Sequence, residues 1–288
     1  MEEEAGDQPY IFQQTGLRGR RGPPLLMEQG HTHSDIEINY LESGQVEYEF
    51  LGTRVTCGPG KMYIFSGVTP HRTVSIAEGT ILTWITLPAV FLHRWELPKW
   101  FLDALFSGVL LEERSDRSLE VDKQQLATWL ADMKSGHPKL LQVAILEMRA
   151  RIVRMAIQRH QNRMVTPKDS NRHQRDASIA TARMKSFIFG NLASPITLFD
   201  IASAAGLHRN YAGQVFKGQT GRTPIAFLTE QRIAFACYLL LTSDRKVIEI
   251  SLDCGFGSLS RFYDAFVRHV GVTPTAFRSR DRSRNPGR

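Results

Sequence analysis

Cysteine is scarce in this chain. Its three cysteines, Cys57, Cys237 and Cys254, are an odd number, lie far apart and form no C-x-x-C pair. A disulfide framework and a thiolate zinc site are not indicated, and a reducing compartment fits. Uninterrupted apolar runs of about 18 residues, the length a membrane-spanning helix needs, are also missing. The amino terminus, MEEEAGDQPY, is acidic where a signal peptide is basic and then apolar. No glycine-rich phosphate loop, dinucleotide fingerprint or nucleophile pairing stands out, so no catalytic residue and no cofactor is assigned. The expectation is a soluble, cytoplasmic protein that is not an enzyme and has no membrane partner.

What is present is a foldable chain with an uneven charge. Its 288 residues, 42% of them hydrophobic, suffice for one large or two ordinary domains with real cores. The net charge is +7, yet residues 178–288 carry 15 Lys and Arg against 7 Asp and Glu, whereas residues 1–177 carry 21 against 22. A basic excess confined to one end is the footprint of a nucleic-acid-binding module, because each phosphate neutralised releases counterions. A merely solvated basic domain has the same composition.

The chain divides by pattern. Residues 1–25, with RGRRGPP and no apolar period, read as a disordered leader without a place in the core. From 28 to 92, short β-rich runs (IEINYLE, VEYEFLG, KMYIFSG, TILTWITLP) alternate with Gly and Pro turns, which predicts a small all-β barrel or sandwich. Residues 93–160 turn helical. Their last helix places Leu141, Ile145, Met148, Ile152, Met155 and Ala156 on one stripe, which packs either on its own barrel or on a second copy. Residues 161–177 read as an interdomain linker, 178–279 as a helical domain, and 280–288 as a solvated basic tail.

The helical domain contains a repeat. Ile201 and Gly206 align with Ile250 and Gly255 at an offset of 49; Phe216, Gly221, Pro224 and Phe227 align with Phe266, Gly271, Pro274 and Phe277 at an offset of 50. The second copy therefore has one extra residue just after its turn glycine. Each copy reads as helix, Gly turn, helix, Gly turn, then Thr-Pro opening a further helix, with Thr223 and Thr273 as N-caps. Two helices joined by a short Gly turn form a helix-turn-helix, whose second helix enters the DNA major groove. A rigid helix between the copies lets both enter one face of the duplex about 34 Å apart.

From IASAAGLHRNYAGQVF to GVTPTAFR the chain resembles the DNA-binding domain of the AraC/XylS transcription regulators over roughly its last 100 residues. The ordered markers are Arg232, Ala236, Leu239 and Leu240, then I-x-x-x-x-G-F-x-S-x-S-x-F and G-x-T-P. The stretches NYA and SRFY are similar to the subgroup that contains the melibiose-operon regulator. In the first recognition helix, Ala212, Val215 and Phe216 form the inner face, and Asn210, Gly213, Gln214 and Lys217 the outer. Asn210 and Gln214 suit adenine, and Lys217 suits phosphate. His208 stands where the family has Ser or Thr at the cap, a departure that weakens the helix start by about 1 kcal/mol. In the second, Ser258 is the cap, and Leu259, Ser260, Tyr263 and Asp264 fall at family contact positions flanked by Arg261. Arg261 suits guanine or phosphate, and Asp264 suits cytosine or orients Arg261. Surface exposure alone is the alternative for each.

The amino-terminal half resembles a cupin barrel, the sensor fold of that family, through His31, His33, Glu37 and Gly44, then Pro59, Gly60 and His71. The resemblance implies an effector pocket, and His31, His33, Glu37, Tyr63, His71 and Trp84 supply both polar groups and aromatic faces for a sugar. Two alternatives stay open: His31, His33, Glu37 and His71 can ligate a metal, or the histidines can plug the barrel. The fold expected is thus a two-domain chain: an all-β cupin-like barrel with appended helices, followed by an all-α domain of two helix-turn-helix units. The function expected is a homodimeric regulator of double-stranded DNA, answering a carbohydrate and, if an activator, contacting RNA polymerase. The competing reading is a metal-dependent cupin enzyme, a sugar-phosphate isomerase or dioxygenase. A third keeps DNA binding and makes the barrel a pure dimerisation module.

Overall fold

The computed structural model describes residues 17–33, 35–50, 52–113, 119–158, 163–165 and 172–284. Its first half is built from β1 (Arg18–Gly22), β2 (Asp35–Ser43), β3 (Val46–Phe50), β4 (Thr53–Cys57), β5 (Lys61–Ser66), β6 (His71–Ile76), β7 (Ile81–Pro88), β8 (Leu110–Glu112) and β9 (Arg163–Val165). These form an antiparallel sheet in the order β1-β7-β2-β5-β8-β9 and a smaller one in the order β4-β3-β6. Alternation along β2 shows why they stack. Leu41 turns inward with Tyr63, Phe65 and Leu82, meeting Val46, Tyr48, Phe50, Val55 and Cys57 of the smaller sheet in one core. Ile36, Ile38 and Tyr40 point the other way, into a second core shared with helices.

Those helices are α1 (Lys99–Phe106), α2 (Leu119–Lys134) and α3 (Pro138–Ile157), reached through a 3₁₀ turn at Ala89–Arg94. The α3 stripe of Leu141, Ile145, Met148, Ile152, Met155 and Ala156 is buried within this one chain, so it packs internally and not on a second copy. A buried ion triad pins α3: the Arg151 guanidinium donates to Glu113 Oε2 at 2.6 Å and to Asp122 Oδ1 at 2.8 Å.

The carboxyl-terminal half comprises α4 (Arg172–Gly190), α5 (Leu198–Ala204), α6 (Arg209–Thr220), α7 (Pro224–Thr242), α8 (Val247–Asp253), α9 (Leu259–Val270) and α10 (Pro274–Arg284). Helix α7 is long and apolar enough to cross a membrane by length and composition. Here it is the central core helix, with Ala236 and Leu240 fully enclosed. Its Arg232 holds the α4–α5 loop, donating to the carbonyls of Leu192 at 2.9 Å and Ser194 at 2.6 Å. The two halves dock through aromatic contacts: Phe106 stacks on Phe189 at 4.9 Å, and Phe91 meets the Tyr238 ring edge-on at 4.7 Å.

Four sequence boundaries are corrected. Residues 1–16 of the expected leader lie outside the described residues, but Leu17 is fully buried and Arg18–Gly22 is a sheet strand paired with β7. Within 93–160, expected to be helical, Leu110–Glu112 is a strand of the same sheet. The expected linker at 161–177 contains β9, paired with β8, and the first turns of α4. The tail expected to be solvated continues α10 as far as Arg284; residues 285–288 lie outside the described residues.

Candidate nucleic-acid interface and barrel site

The repeat becomes two helix-turn-helix units with the same order of elements, the second having one more residue between its turn glycine and its helix. In the first, α5 ends in a turn at Gly206 (φ 69°) where Leu207 N–H donates to the Ala202 carbonyl at 3.0 Å. In the second, α8 ends at Gly255 (φ 79°) where Phe256 N–H donates to the Ser251 carbonyl at 3.1 Å. Both glycines have the left-handed backbone that a side chain resists. At Gly255 a Cβ would also lie 2.5 Å from the Leu192 carbonyl oxygen, whereas at Gly206 nothing among the described residues comes within 4 Å.

Each turn delivers a helix whose inner face is anchored by aromatic packing. Ala212 and Phe216 seat α6, with Val215 half-buried; Phe262 and Phe266 seat α9. The caps differ as the sequence indicates. Ser258 Oγ accepts from Arg261 N–H at 3.3 Å, and His208 Nδ1 accepts from Asn210 N–H at 3.5 Å, a weaker contact. Outward on α6 stand Asn210, Gln214 and Lys217, all exposed, with Gly213 half-buried between them. Outward on α9 stand Leu259, Ser260, Arg261 and Asp264, also exposed. Tyr263 is half-buried, its hydroxyl 3.3 Å from Thr275 Oγ1. Tyr211, 58% exposed on α6, is an outward aromatic that the sequence reading passed over.

The barrel gathers a second constellation at one end. One ligating atom from each of His31, His33, Glu37 and His71 lies within 4.8 Å of all the others. Backbone pairing makes this possible. His31 bridges His71 across the smaller sheet's edge, and Glu37 projects from β2 on the inner face. Phe65 meets the His71 ring edge-on at 5.1 Å and closes the floor. Glu37 Oε1 accepts from His33 Nε2 at 2.8 Å and faces His71 Nε2 at 3.2 Å. Burial pushes the Glu37 carboxyl up, but these two contacts outweigh it and hold it far below the usual carboxylate range. For His33, burial pulls the other way, and the bond and charge of Glu37 with the charge of Asp35 raise its pKa on balance. His31 is lowered by burial and by the neighbouring imidazoles.

His71 has an acceptor at each ring nitrogen, since its Nδ1 lies 2.8 Å from the Thr69 carbonyl. A proton on both nitrogens satisfies that arrangement, and so does a cation at Nε2. The donor set of three imidazoles and a carboxylate, one imidazole held by a backbone carbonyl, fits a divalent transition metal.

Trp84 and Tyr63 flank Asn39 in one cross-strand row, next to the row of Glu37. Trp84 is half-buried and presents an indole face beside the cluster's strand. Tyr63 is buried, and its hydroxyl is engaged by Gly58, accepting from its N–H at 2.8 Å and donating to its carbonyl at 3.1 Å. It therefore serves the turn between β4 and β5. Sequence reasoning missed Asn39, which is buried and donates to Glu37 Oε2 at 3.3 Å and to the Tyr48 hydroxyl at 3.1 Å. Its Oδ1 has no hydrogen-bonding partner among the described residues. Arg18 was missed as well, because it fell in the expected leader; its charge acts on both His33 and Asp35.

Comparison with known proteins agrees with both halves. Residues 201–280 match the helix-turn-helix domain family and residues 25–144 the AraC-like ligand binding domain family. The melibiose operon regulatory protein of Escherichia coli K12 is 26% identical over 265 residues, covering 91% of this chain and 87% of that protein. The RCS-specific HTH-type transcriptional activator RclR of the same strain is 36% identical over 90 residues, 31% of this chain and 32% of that protein. Among solved structures, the DNA-binding domain of AdpA in complex with a target DNA shares 30% identity over 38% of this chain and 98% of that one, with a TM-score of 0.36.

Proposed function

This chain belongs to the AraC/XylS family of DNA-binding transcription regulators, in its melibiose-like subgroup, and from that premise we propose that it activates transcription when a small carbohydrate occupies the open end of its barrel. It is a regulator and not an enzyme, with a ligand-binding domain ahead of the two reading units. The observation that carries the proposal is the pair of glycine-turned units held on one core helix, each exposing a polar face. Asn210 and Gln214 on α6, and Ser260 and Arg261 on α9, are the side chains assigned to base edges; Lys217 is assigned to phosphate. Leu259, Tyr263 and Asp264 complete the second contact surface, and Gly213 leaves α6 room to approach the duplex.

Carbohydrate is supported by chemistry and by likeness. A half-buried indole beside a row of carboxylate, amide and imidazole groups offers a stacking face and donors and acceptors for hydroxyls. A relative that matches over 91% of this chain is named for a melibiose operon. Activation, with its contact to RNA polymerase, rests on the name of a transcriptional activator among the relatives. Self-association is assigned to α3, where Leu140, Val143 and Leu146 leave an exposed apolar row on the side away from the buried stripe.

The acceptors at both nitrogens of His71 favour a second reading of the barrel site, in which His31, His33, Glu37 and His71 hold a divalent metal. Such an ion would supply a Lewis-acidic point for sugar hydroxyls. Footprinting across a genome tests the main reading. Sequence-specific sites are expected, with affinity falling about 5- to 150-fold for Asn210→Ala or Arg261→Ala. Unchanged affinity in both variants refutes the assignment of the reading faces. Thermal-shift screening of sugars, with metal analysis of the purified chain, tests the barrel. A sugar response lost in Trp84→Ala supports the effector site, and stoichiometric metal lost in Glu37→Ala supports the second reading.

A further inference from the structure

Tyr211 is the side chain of α6 that the rest of the chain does not engage. It is 58% exposed and makes neither a hydrogen bond nor a ring contact among the described residues. The helix fixes its direction. At about 100° per residue, Gln214 lies midway between Tyr211 and Lys217, about 60° from each, so these two bracket the base-reading centre of α6. A helix about 10–12 Å across fills a major groove about 12 Å wide, which brings each flank against one phosphate wall. Lys217 therefore faces one wall and Tyr211 the other.

The internal repeat supplies a comparison. Helices α6 and α9 have the same length and begin 50 residues apart, so each position in one has a counterpart in the other. Tyr211 corresponds to Arg261, and Gly218, two turns further along the same flank, corresponds to Arg268. Both arginines are exposed, so in the second unit this flank presents two guanidinium groups, the groups best suited to phosphate. The fold thus admits long side chains at both places. On α6 a Cβ at Gly218 would meet nothing within 4 Å among the described residues, and the position is helical, without the positive φ of the turn glycines. A glycine there lowers helix stability relative to alanine. No neighbour within the chain calls for it; a close neighbour outside the chain does.

We propose that Tyr211 is a DNA-contacting residue of the first unit: its hydroxyl donates to a phosphate of the strand opposite the one held by Lys217, and the bare Gly218 lets that strand's backbone lie against the helix. The second unit holds the corresponding wall by charge, the first by a hydrogen bond and close approach. The Tyr211 contact adds affinity without releasing counterions, so the two units of one chain respond differently to salt. This assignment rests on α6 being a base-reading helix and is independent of what occupies the barrel.

The test uses the full chain and a duplex selected by the wild-type protein from a randomised pool, with binding followed by fluorescence anisotropy between about 50 and 200 mM sodium chloride. Tyr211→Phe weakens binding about 5-fold at every salt concentration. Tyr211→Arg, which copies the second unit, steepens the slope of log K against log salt by about 0.9, the value for one new phosphate contact. Gly218→Leu weakens binding about 10-fold or more while its urea midpoint stays at or above that of the wild type. Unchanged affinity in Tyr211→Phe overturns the phosphate contact, even where Tyr211→Ala binds more weakly through loss of the ring. An unchanged slope in Tyr211→Arg overturns the facing wall, and unchanged affinity in Gly218→Leu overturns the close approach. Asn210→Ala keeps two failures apart. Weakened binding there with no effect of Tyr211→Phe refutes this contact alone, whereas no effect of either variant refutes the reading role of α6 on which it rests.

Discussion

Replacing Lys185 by methionine should stabilise this protein, and by an amount that depends on pH. The side chain's pKa falls from 10.5 to about 7 on folding. At about 1.4 kcal/mol per unit, that shift means the fold gives up about 4 kcal/mol at pH 7 to hold the amine in its apolar seat. The sign follows from proton counts. Between pH 7 and 10.5 the unfolded chain keeps the proton that the folded chain has lost, so wild-type stability rises with pH through this window. At pH 9 the residual cost is about 2 kcal/mol. Lys185→Met should therefore gain stability at pH 7 and show about 2 kcal/mol less gain at pH 9. Urea unfolding of both proteins at pH 7, 8 and 9 measures this. Among the described residues the rings of Phe216 and Phe227 lie beside the amine and Thr181 one turn before it, and none of these titrates in that range. A destabilised variant, or a difference that stays constant with pH, would refute the claim that the amine is buried without a counter-charge among the described residues.

The two turn glycines offer a sharper comparison than either alone. Gly206→Ala meets only backbone strain and should cost about 1 kcal/mol. Gly255→Ala adds a collision with the Leu192 carbonyl and should cost about 3 kcal/mol or more, read as the difference in urea midpoints between the variants. Equal losses would show that the second turn can shift to admit a methyl group. Leu146→Arg in the exposed row of α3 should convert a dimer to a monomer in light scattering while leaving the circular dichroism unchanged. A dimer that persists moves the interface elsewhere.

The reading units were legible because their signals are local. The caps at Thr223 and Ser258, the turn glycines and the aromatic anchors Phe216, Phe262 and Phe266 each act over a few residues of sequence, where spacing alone fixes geometry. Strands with distant partners were not legible. Arg18–Gly22 pairs with residues 82–86, and Arg163–Val165 with residues 110–112, so neither short run carries the signal of its own pairing. The barrel cluster was half visible. The spacing of His31, His33 and Glu37 showed a shared face, but the backbone bridge that brings His71 to them and the cross-strand place of Asn39 appear only in the folded sheet. Tyr63 shows the converse, since an aromatic phenol suited to a ligand is taken up by the backbone of a neighbouring turn.

The strand at Arg163–Val165 has a mechanical consequence. Because it is sewn to the sensor sheet through Leu110–Glu112, only six residues separate that seam from the start of α4 at Arg172. Six residues span at most about 25 Å. The covalent connection alone therefore keeps the start of α4 within that distance of the sensor sheet. Contacts between the two halves are accordingly made at an effective concentration set by that short span, independent of how dilute the protein is in the cell.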